Sequence, residues 1–380
     1  MKKFLLTVMA ILTVASGSVF GMYGADNTWL FFLIHGNQFR ARMNQVGFTL
    51  GNGTIKGTFG FKANTLINGS ILNTSGKNDK NPLEATVSGG IGYTSDAFGI
   101  GVGYNYTYSA TGTGINTHTP VVTMNFLNNN LRIAIPVSIA IEKSIGGSGA
   151  LTDRKDYLGL SIPAQIRYYT GIDAFNYIRF EFNYGLNKYD GVTGNQTAKY
   201  EAQTIGFQLR LHFLNTVIGN NVTVNPFLRI DFASTIGAKG KANVVFPANT
   251  SFDGRLTAWA ANAWREATAG EEAYDREAYD LKIIPSISLS VNTDYVNLIF
   301  EPGLGYRIQD DGIKGSKLTH SLYWQAYGEI YIRPTQDLEW YFEMDVNNGV
   351  PKLQGNPAGN GVPVVFGANT GITWYLPALN

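Results

Sequence analysis

Residues able to carry acid–base or metal chemistry are few and scattered in this chain. Four histidines stand at positions 35, 118, 212 and 320, and cysteine is absent. The missing thiols remove thiolate metal sites, catalytic thiols and disulfide frameworks together. No H-E-x-x-H pair places two imidazoles on one helical face for zinc. Gly146-Gly147-Ser148-Gly149 approaches the G-x-S-x-G elbow, but Ala150 stands where the last glycine is needed. The glycines around Gly89 and Gly99 lack the G-x-G-x-x-G spacing that brings backbone against a pyrophosphate. Glu271, Glu272, Asp275, Glu277 and Asp280 offer carboxylates without the D-x-D-x-D-G order of a calcium loop, so a solvated acidic segment is expected. An enzyme would need His212 or His320 to meet a distant Ser or Asp in space. No catalytic, cofactor-binding or metal site is assigned, and no enzymatic activity is expected.

What is left is electrostatics, and its placement depends on the elements beneath it. Formal charge is +1 and charged residues are 15% of the chain, against about 25% in an average soluble domain. There is no basic stripe to neutralise phosphates, so no nucleic-acid partner is expected. Aromatics reach 13% and glycine contributes 44 residues, which suits many strands and tight turns.

The first segment reads as an address. Lys2 and Lys3 precede an apolar run from Phe4 to Val14, and in Val19-Phe20-Gly21 the outer two residues are small enough for the −3 and −1 positions of a cleavage site. Residues 1–21 are therefore predicted to be a signal peptide, and 22–380 a single domain. No later stretch approaches the roughly 18 consecutive apolar residues of a helical span, so any membrane must be crossed by strands.

Period-two alternation runs through that domain. Phe98, Ile100, Val102, Tyr104, Tyr106 and Tyr108 alternate with Gly99, Gly101, Gly103, Asn105, Thr107 and Ser109. Leu131 to Ile141 alternate with Arg132, Ala134, Ser138 and Glu142, and Ile178 to Tyr184 with Arg179, Glu181 and Asn183. The same holds across Ile205 to Phe213, Val296 to Tyr306, Leu338 to Met344 and Val362 to Leu376. One face of each strand is apolar and the other polar. These runs are long enough to cross a bilayer at a tilt, which takes about 9 to 11 residues.

Connections alternate in length. Short ones, at 51–53, 94–97, 128–130, 214–221, 293–294 and 333–337, separate long polar ones at 68–84, 146–155, 187–199, 234–280 and 348–361. That rhythm predicts an all-β transmembrane antiparallel barrel with short periplasmic turns and long external loops. Fifteen runs are visible. Parity and the turn rhythm both call for one more strand at the N-terminus, placed within Trp29 to Gly36. Sixteen strands are expected, with fourteen as the alternative. Tyr157, Tyr168, Tyr177, Trp324, Trp340, Trp374 and Tyr375 fall near strand ends, where rings favour the membrane interface.

Polar-face charges then segregate. Arg132, Arg167, Arg179, Arg210 and Arg229 lie on five successive strands, and Glu301, Glu329, Glu339, Glu343 and Asp345 on three much later ones. These ten are the candidate pore-lining residues, expected as opposed basic and acidic walls that bias ion passage. The longest segment, 234–280, contains an Ala-rich stretch at 255–269 with one helical face, a candidate helix that either enters the lumen as a plug or stands outward.

Asn369-x-Gly371-x-x-Trp374-x-Leu376 resembles the terminal-strand signal of outer-membrane barrels, although Pro377 to Asn380 follow it. The leader, Phe39-Arg-Ala-Arg-Met-Asn-Gln-Val-Gly-Phe48 with Gly51-Asn-Gly53, and Ile372-Thr-Trp-Tyr-Leu376 make the chain similar to the spirochaetal variable surface proteins. That resemblance implies a surface-exposed outer-membrane antigen whose loops meet host antibody or host surface. With the barrel it predicts outer-membrane lipid as a partner and porin-like capacity, and homo-oligomerisation is left open. A diffusion porin as the primary role and a secreted soluble β-sandwich binding protein are the alternatives.

Overall fold

The computed structural model describes residues 26–42, 45–63, 84–109, 115–147, 150–242, 264–271, 273–348 and 364–376. The predicted signal peptide, and the part of the Ala-rich stretch before Trp264, lie outside these residues. A short helix, α1 (Asp26–Phe31), precedes the strands. These are β1 (Gln38–Arg42), β2 (Gln45–Gly51), β3 (Ile55–Ala63), β4 (Glu84–Thr94), β5 (Phe98–Ser109) and β6 (Thr117–Phe126). Then come β7 (Leu131–Pro136), β8 (Ser138–Ser144), β9 (Asp153–Ile172), β10 (Phe175–Thr193), β11 (Gln196–Phe213), β12 (Thr216–Ile218) and β13 (Val222–Ile236). The chain continues through β14 (Lys241–Ala242), β15 (Arg265–Glu266), β16 (Tyr279–Asn292), β17 (Val296–Asp310), β18 (Thr319–Thr335), β19 (Leu338–Asn347) and β20 (Val365–Leu376).

Each long strand pairs antiparallel with the next, and β20 returns to β1 through Phe39↔Leu376 and Arg42↔Thr373, which closes the sheet. β7 and β8 keep one register against β6 and β9 and form one stave interrupted at Val137. β12 only extends the turn before β13, and β14 pairs with β15 apart from the main sheet. Sixteen staves result, as the alternation predicts. A closed barrel leaves no unpaired edge and takes the place of the β-sandwich alternative.

The sixteenth strand is not where the sequence put it. Residues 29–36 are the end of α1 and a turn, and the missing stave is β1, joined to β2 across positions 43–44. The expected long connection at 187–199 is likewise a hairpin, with Gly194-Asn195 at its tip and the ladder reaching Thr193↔Gln196. β9, β10 and β11 run to 20, 19 and 18 residues. At about 3.3 Å per residue and a tilt near 40°, such strands rise well beyond a 25 Å apolar band. The barrel wall therefore stands tall on this side, at the end bearing the long connections.

Alternation sorts the side chains inside out relative to a soluble domain. The ladder row Ile91–Val102–Val122 faces outward, and its members are 57, 54 and 39% exposed. One residue along, Gly92–Gly101–Thr123–Ala134–Gln165 faces inward. The exterior presents an apolar belt, while Thr, Asn, Gln, Arg and Glu are buried in the interior. Val102→Arg, at the middle of that belt, is expected to cost about 2–4 kcal/mol of folding free energy in lipid. The urea midpoint of folding into vesicles measures it, and an unchanged midpoint would mean that this face does not meet lipid.

Of the aromatics expected at the interface, Trp340 and Trp374 face outward at 46 and 57% exposure. Tyr157, Tyr177 and Tyr375 point inward: Tyr157 is fully buried and donates to Asn187, Tyr177 packs at a tilt against His212, and Tyr375 donates to Glu339. Aromatic type marks strand ends here without telling the inner face from the outer.

Two apolar clusters fill parts of the interior. Near the short turns, Trp29, Leu30, Phe31, Phe32 and Leu33 are 0–6% exposed and pack on Val121 and Ala134. Space for them comes from glycine. A Cβ at Gly90 would stand 2.7 Å from the Trp29 ring, and one at Gly103 would enter it. Lys56 Nζ donates to the carbonyls of Leu33 and His35 at 2.7 and 2.6 Å, fixing the exit of the segment. At the opposite end, Trp264, Tyr274, Ala238 and Ile313 cover Tyr157, Tyr189 and Ala202 inside the tall wall. The return arm of the 234–280 segment thus lies against the barrel. The described part of the Ala-rich stretch, 264–269, is a bridge, strand β15 and the start of a turn rather than the expected helix.

Candidate functional site: the charged interior

Antiparallel register turns the scattered arginines into a row. Arg132 pairs with Arg167, Arg167 with Arg179, Arg179 with Arg210, and Arg210 with Arg229, in direct opposition across five neighbouring staves. Like charges directly opposite destabilise a ladder, so the row needs compensation. Arg179 forms an ion pair with Glu181 through Nη2 and donates from Nε at 2.7 Å. Arg229 pairs with Asp231 at 2.8 Å. Arg210 donates to Gln208 at 2.7 Å and reaches Glu301 at 3.4 Å.

The other two arginines meet rings. Arg132 lies 4.6 Å from the Tyr169 centroid and 5.4 Å from that of Phe31, and Arg167 lies 4.9 Å from Phe31. Cations over aromatic faces gain about 0.5–2 kcal/mol, more when desolvated. α1 and its continuation therefore cover this end of the row, leaving Arg132 and Arg167 only 6 and 2% exposed.

A second row follows on the short-turn side. Tyr169, Tyr177, His212 and Phe227 are ladder partners with ring centroids 4.7–4.8 Å apart; Tyr169–Tyr177 and His212–Phe227 stack, and Tyr177–His212 is tilted by 46°. His212 Nδ1 meets Asn225 Oδ1 at 2.9 Å. The remaining histidines are elsewhere: His35 stacks on Phe31, while His118 and His320 stand among the outward rings with Tyr104 and Tyr306. The structure brings no two histidines together.

The acidic residues occupy β17, β18 and β19. Glu329 and Glu343 are direct ladder partners, and Glu329 accepts hydrogen bonds from the hydroxyls of Tyr327 and Tyr331. Glu339 accepts from Arg333 at 2.9 Å and Tyr375 at 3.1 Å, and Asp345 from Asn347 at 3.5 Å. In stave order the arginines fill positions seven to eleven and the acids thirteen to fifteen, with β16 alone between them. The two walls adjoin; the expectation that they face each other across the full diameter is overturned. The long 234–280 segment misleads in the sequence, because whatever its length it joins neighbouring staves.

Side chains cross the interior from one sector to the other. Arg210 to Glu301 joins staves ten and thirteen, and Arg229 Nη1 to Gln325 Oε1, at 3.1 Å, joins eleven and fourteen. Both contacts skip two staves, so these groups leave the wall and bridge the lumen.

Further toward the long connections, Asp280 accepts from Arg307 Nε and Nη2 at 2.9 and 2.8 Å, with Lys282 Nζ 3.7 Å away. Alternation puts Arg307 on the polar face with Asn297 and Glu301, yet it is not among the candidate pore-lining residues; Lys282 is missed, although its neighbour Ile283 could have revealed it. Asp280 belongs here rather than to an acidic loop. Glu271 is held down to about 2 by Arg265, which binds it bidentately, and Glu277 caps the amides of Gly237 and Ala238. Among the described residues no three carboxylates or imidazoles gather to hold a metal ion.

A closed antiparallel barrel of sixteen staves, apolar outside and polar within, is an outer-membrane β-barrel. Residues 2–375 match the family of the Serpulina hyodysenteriae variable surface protein, and the chain belongs to that family. No curated protein sequence matches it. Among solved structures it is similar to the translocator domain of the autotransporter NalP from Neisseria meningitidis, with 13% identity, 90% of this chain and 88% of that one covered, and a TM-score of 0.32. It is also similar to OmpT, an outer membrane protein of Vibrio cholerae (9%, 90% and 96%, 0.34), and to the CymD monoaromatic hydrocarbon channel (6%, 93% and 92%, 0.33). Scores of that size carry no argument about what this chain does.

Proposed function

We propose that this is a surface-exposed variable antigen of the outer membrane, with its leader removed on export and with porin-like channel capacity. The observation that carries the display role is the sorting of connections. Turns at 52–54, 95–97, 127–130, 173–174, 293–295 and 336–337 occupy one end, and the connections 64–83, 237–278 and 348–364 all leave from the other. Short turns belong to the periplasmic side of such barrels and long loops to the outside. On this reading outer-membrane lipid surrounds the apolar belt, and host antibody or host surface meets the loops.

An epitope tag inserted in the connection 348–364 is expected to be labelled by antibody on intact cells. The same tag inserted at 95–97 is expected to be labelled only after lysis. Reversed labelling would overturn the orientation, and with it the display role.

A diffusion porin as the primary role is the second reading. It is favoured by the polar interior, where Arg210 and Arg229 reach Glu301 and Gln325 on the staves of the carboxylate sector.

A further inference from the structure

We infer that Arg179, Arg210 and Arg229 form a binding strip for small oxyanions, recognising the phosphate or carboxylate group of a solute inside the barrel. This rests on the proposed reading only in that solutes must reach the interior. The first support is register: three guanidinium-bearing residues stand in direct opposition on neighbouring staves, with Cα atoms about 4.5–5.5 Å apart across each pair. That spacing lets two guanidiniums share one tetrahedral or planar oxyanion.

The second support is which partner is the more exposed. In the Arg179–Glu181 pair the side chains are 16 and 8% exposed, and in the Arg229–Asp231 pair 16 and 2%. In both pairs the arginine is the more exposed partner, so a solute in the lumen meets more of the arginine than of its carboxylate. The third is the charge of the whole row: among the described residues each arginine of the strip has one carboxylate partner, and the row continues beyond it to Arg132, a cation with none. Arg132, next but one along the row from Arg179, rests on the Asn129 carbonyl and two rings rather than on a carboxylate. Arg210 is the focus: it lies between two like charges, and its carboxylate partner is the most distant of the three at 3.4 Å. An entering oxyanion would take the place of Glu301 there and relieve the repulsion along the row.

Inorganic phosphate is the probe, titrated into the detergent-folded barrel and followed by 31P line broadening, with planar-bilayer conductance measured on the same preparation. Arg210→Gln is expected to weaken phosphate binding about tenfold or more, the loss of one charged hydrogen-bonding partner. Glu301→Gln, which frees Arg210, is expected to tighten it several-fold, and it decides the matter if Arg210→Gln does not fold. Arg42→Gln, on the far stave β1, is expected to leave binding unchanged. Conductance without phosphate binding, or binding indifferent to Arg210 and Glu301, would overturn the strip and leave the pore. Binding without conductance would overturn the pore and leave the strip.

Discussion

Trp29→Ala is expected to destabilise the folded barrel by about 3–5 kcal/mol, the cost of truncating a large buried aromatic. Trp29 is 1% exposed, meets Phe32 edge-on at 5.7 Å and lies against Gly90 and Gly103. On the wall side its neighbours Gly90 and Gly103 are backbone held in a hydrogen-bonded ladder that cannot collapse into the space, which places the cost at the upper end. The urea midpoint of the detergent-folded chain measures it. Gly103→Leu should also destabilise, because its side chain enters the volume of the Trp29 ring. The double variant Trp29→Ala/Gly103→Leu should lose clearly less than the two singles together, since one change vacates what the other fills. Additive losses, or a Trp29→Ala cost below about 1 kcal/mol, would mean that the N-terminal segment does not occupy this seat.

Asp280→Ala is the second large expectation. Its carboxylate is 3% exposed and accepts two hydrogen bonds from Arg307, whose side chain is 5% exposed, with Lys282 also nearby. Removing it strands two buried cations, and breaking a buried pair in that way costs about 3–5 kcal/mol. Removing the partner as well should return much of the loss, because the pair itself contributes little beyond its own desolvation. Asp280→Ala/Arg307→Met is therefore expected to be more stable than Asp280→Ala alone by denaturant midpoint. Equal instability of the two would show that packing, not charge, dominates at this position.

Much of the architecture was legible because it is written in local geometry. An extended chain throws successive side chains to opposite faces, so alternation at 98–109, 131–142 and 178–184 marks strands whatever surrounds them. Turn residues mark where the strands end, and parity with the turn rhythm favours sixteen staves over fifteen; the closed sheet has sixteen. The same logic fails at Trp29-Leu-Phe-Phe-Leu-Ile34. A short unbroken apolar run fits a buried helix as well as a strand. What selects the helix is the row of inward glycines on β4 and β5, which lies more than fifty residues further along the chain.

The charged interior divides in the same way. Sequence alone determined that Arg132, Arg167, Arg179, Arg210 and Arg229 share a face, and that Glu301, Glu329, Glu339, Glu343 and Asp345 share it too. It could not place the arginines in one row, because a ladder's register depends on how each hairpin closes, and one residue of slip turns every side chain to the other face. Nor could it show that the two sectors adjoin, since distance along the chain counts a long connection in full while the sheet counts only its neighbouring staves. Alternation is a property of one strand at a time. Which charges meet, and what fills the space between them, is decided only when sixteen strands close on themselves, because closure alone sets the neighbours across the lumen.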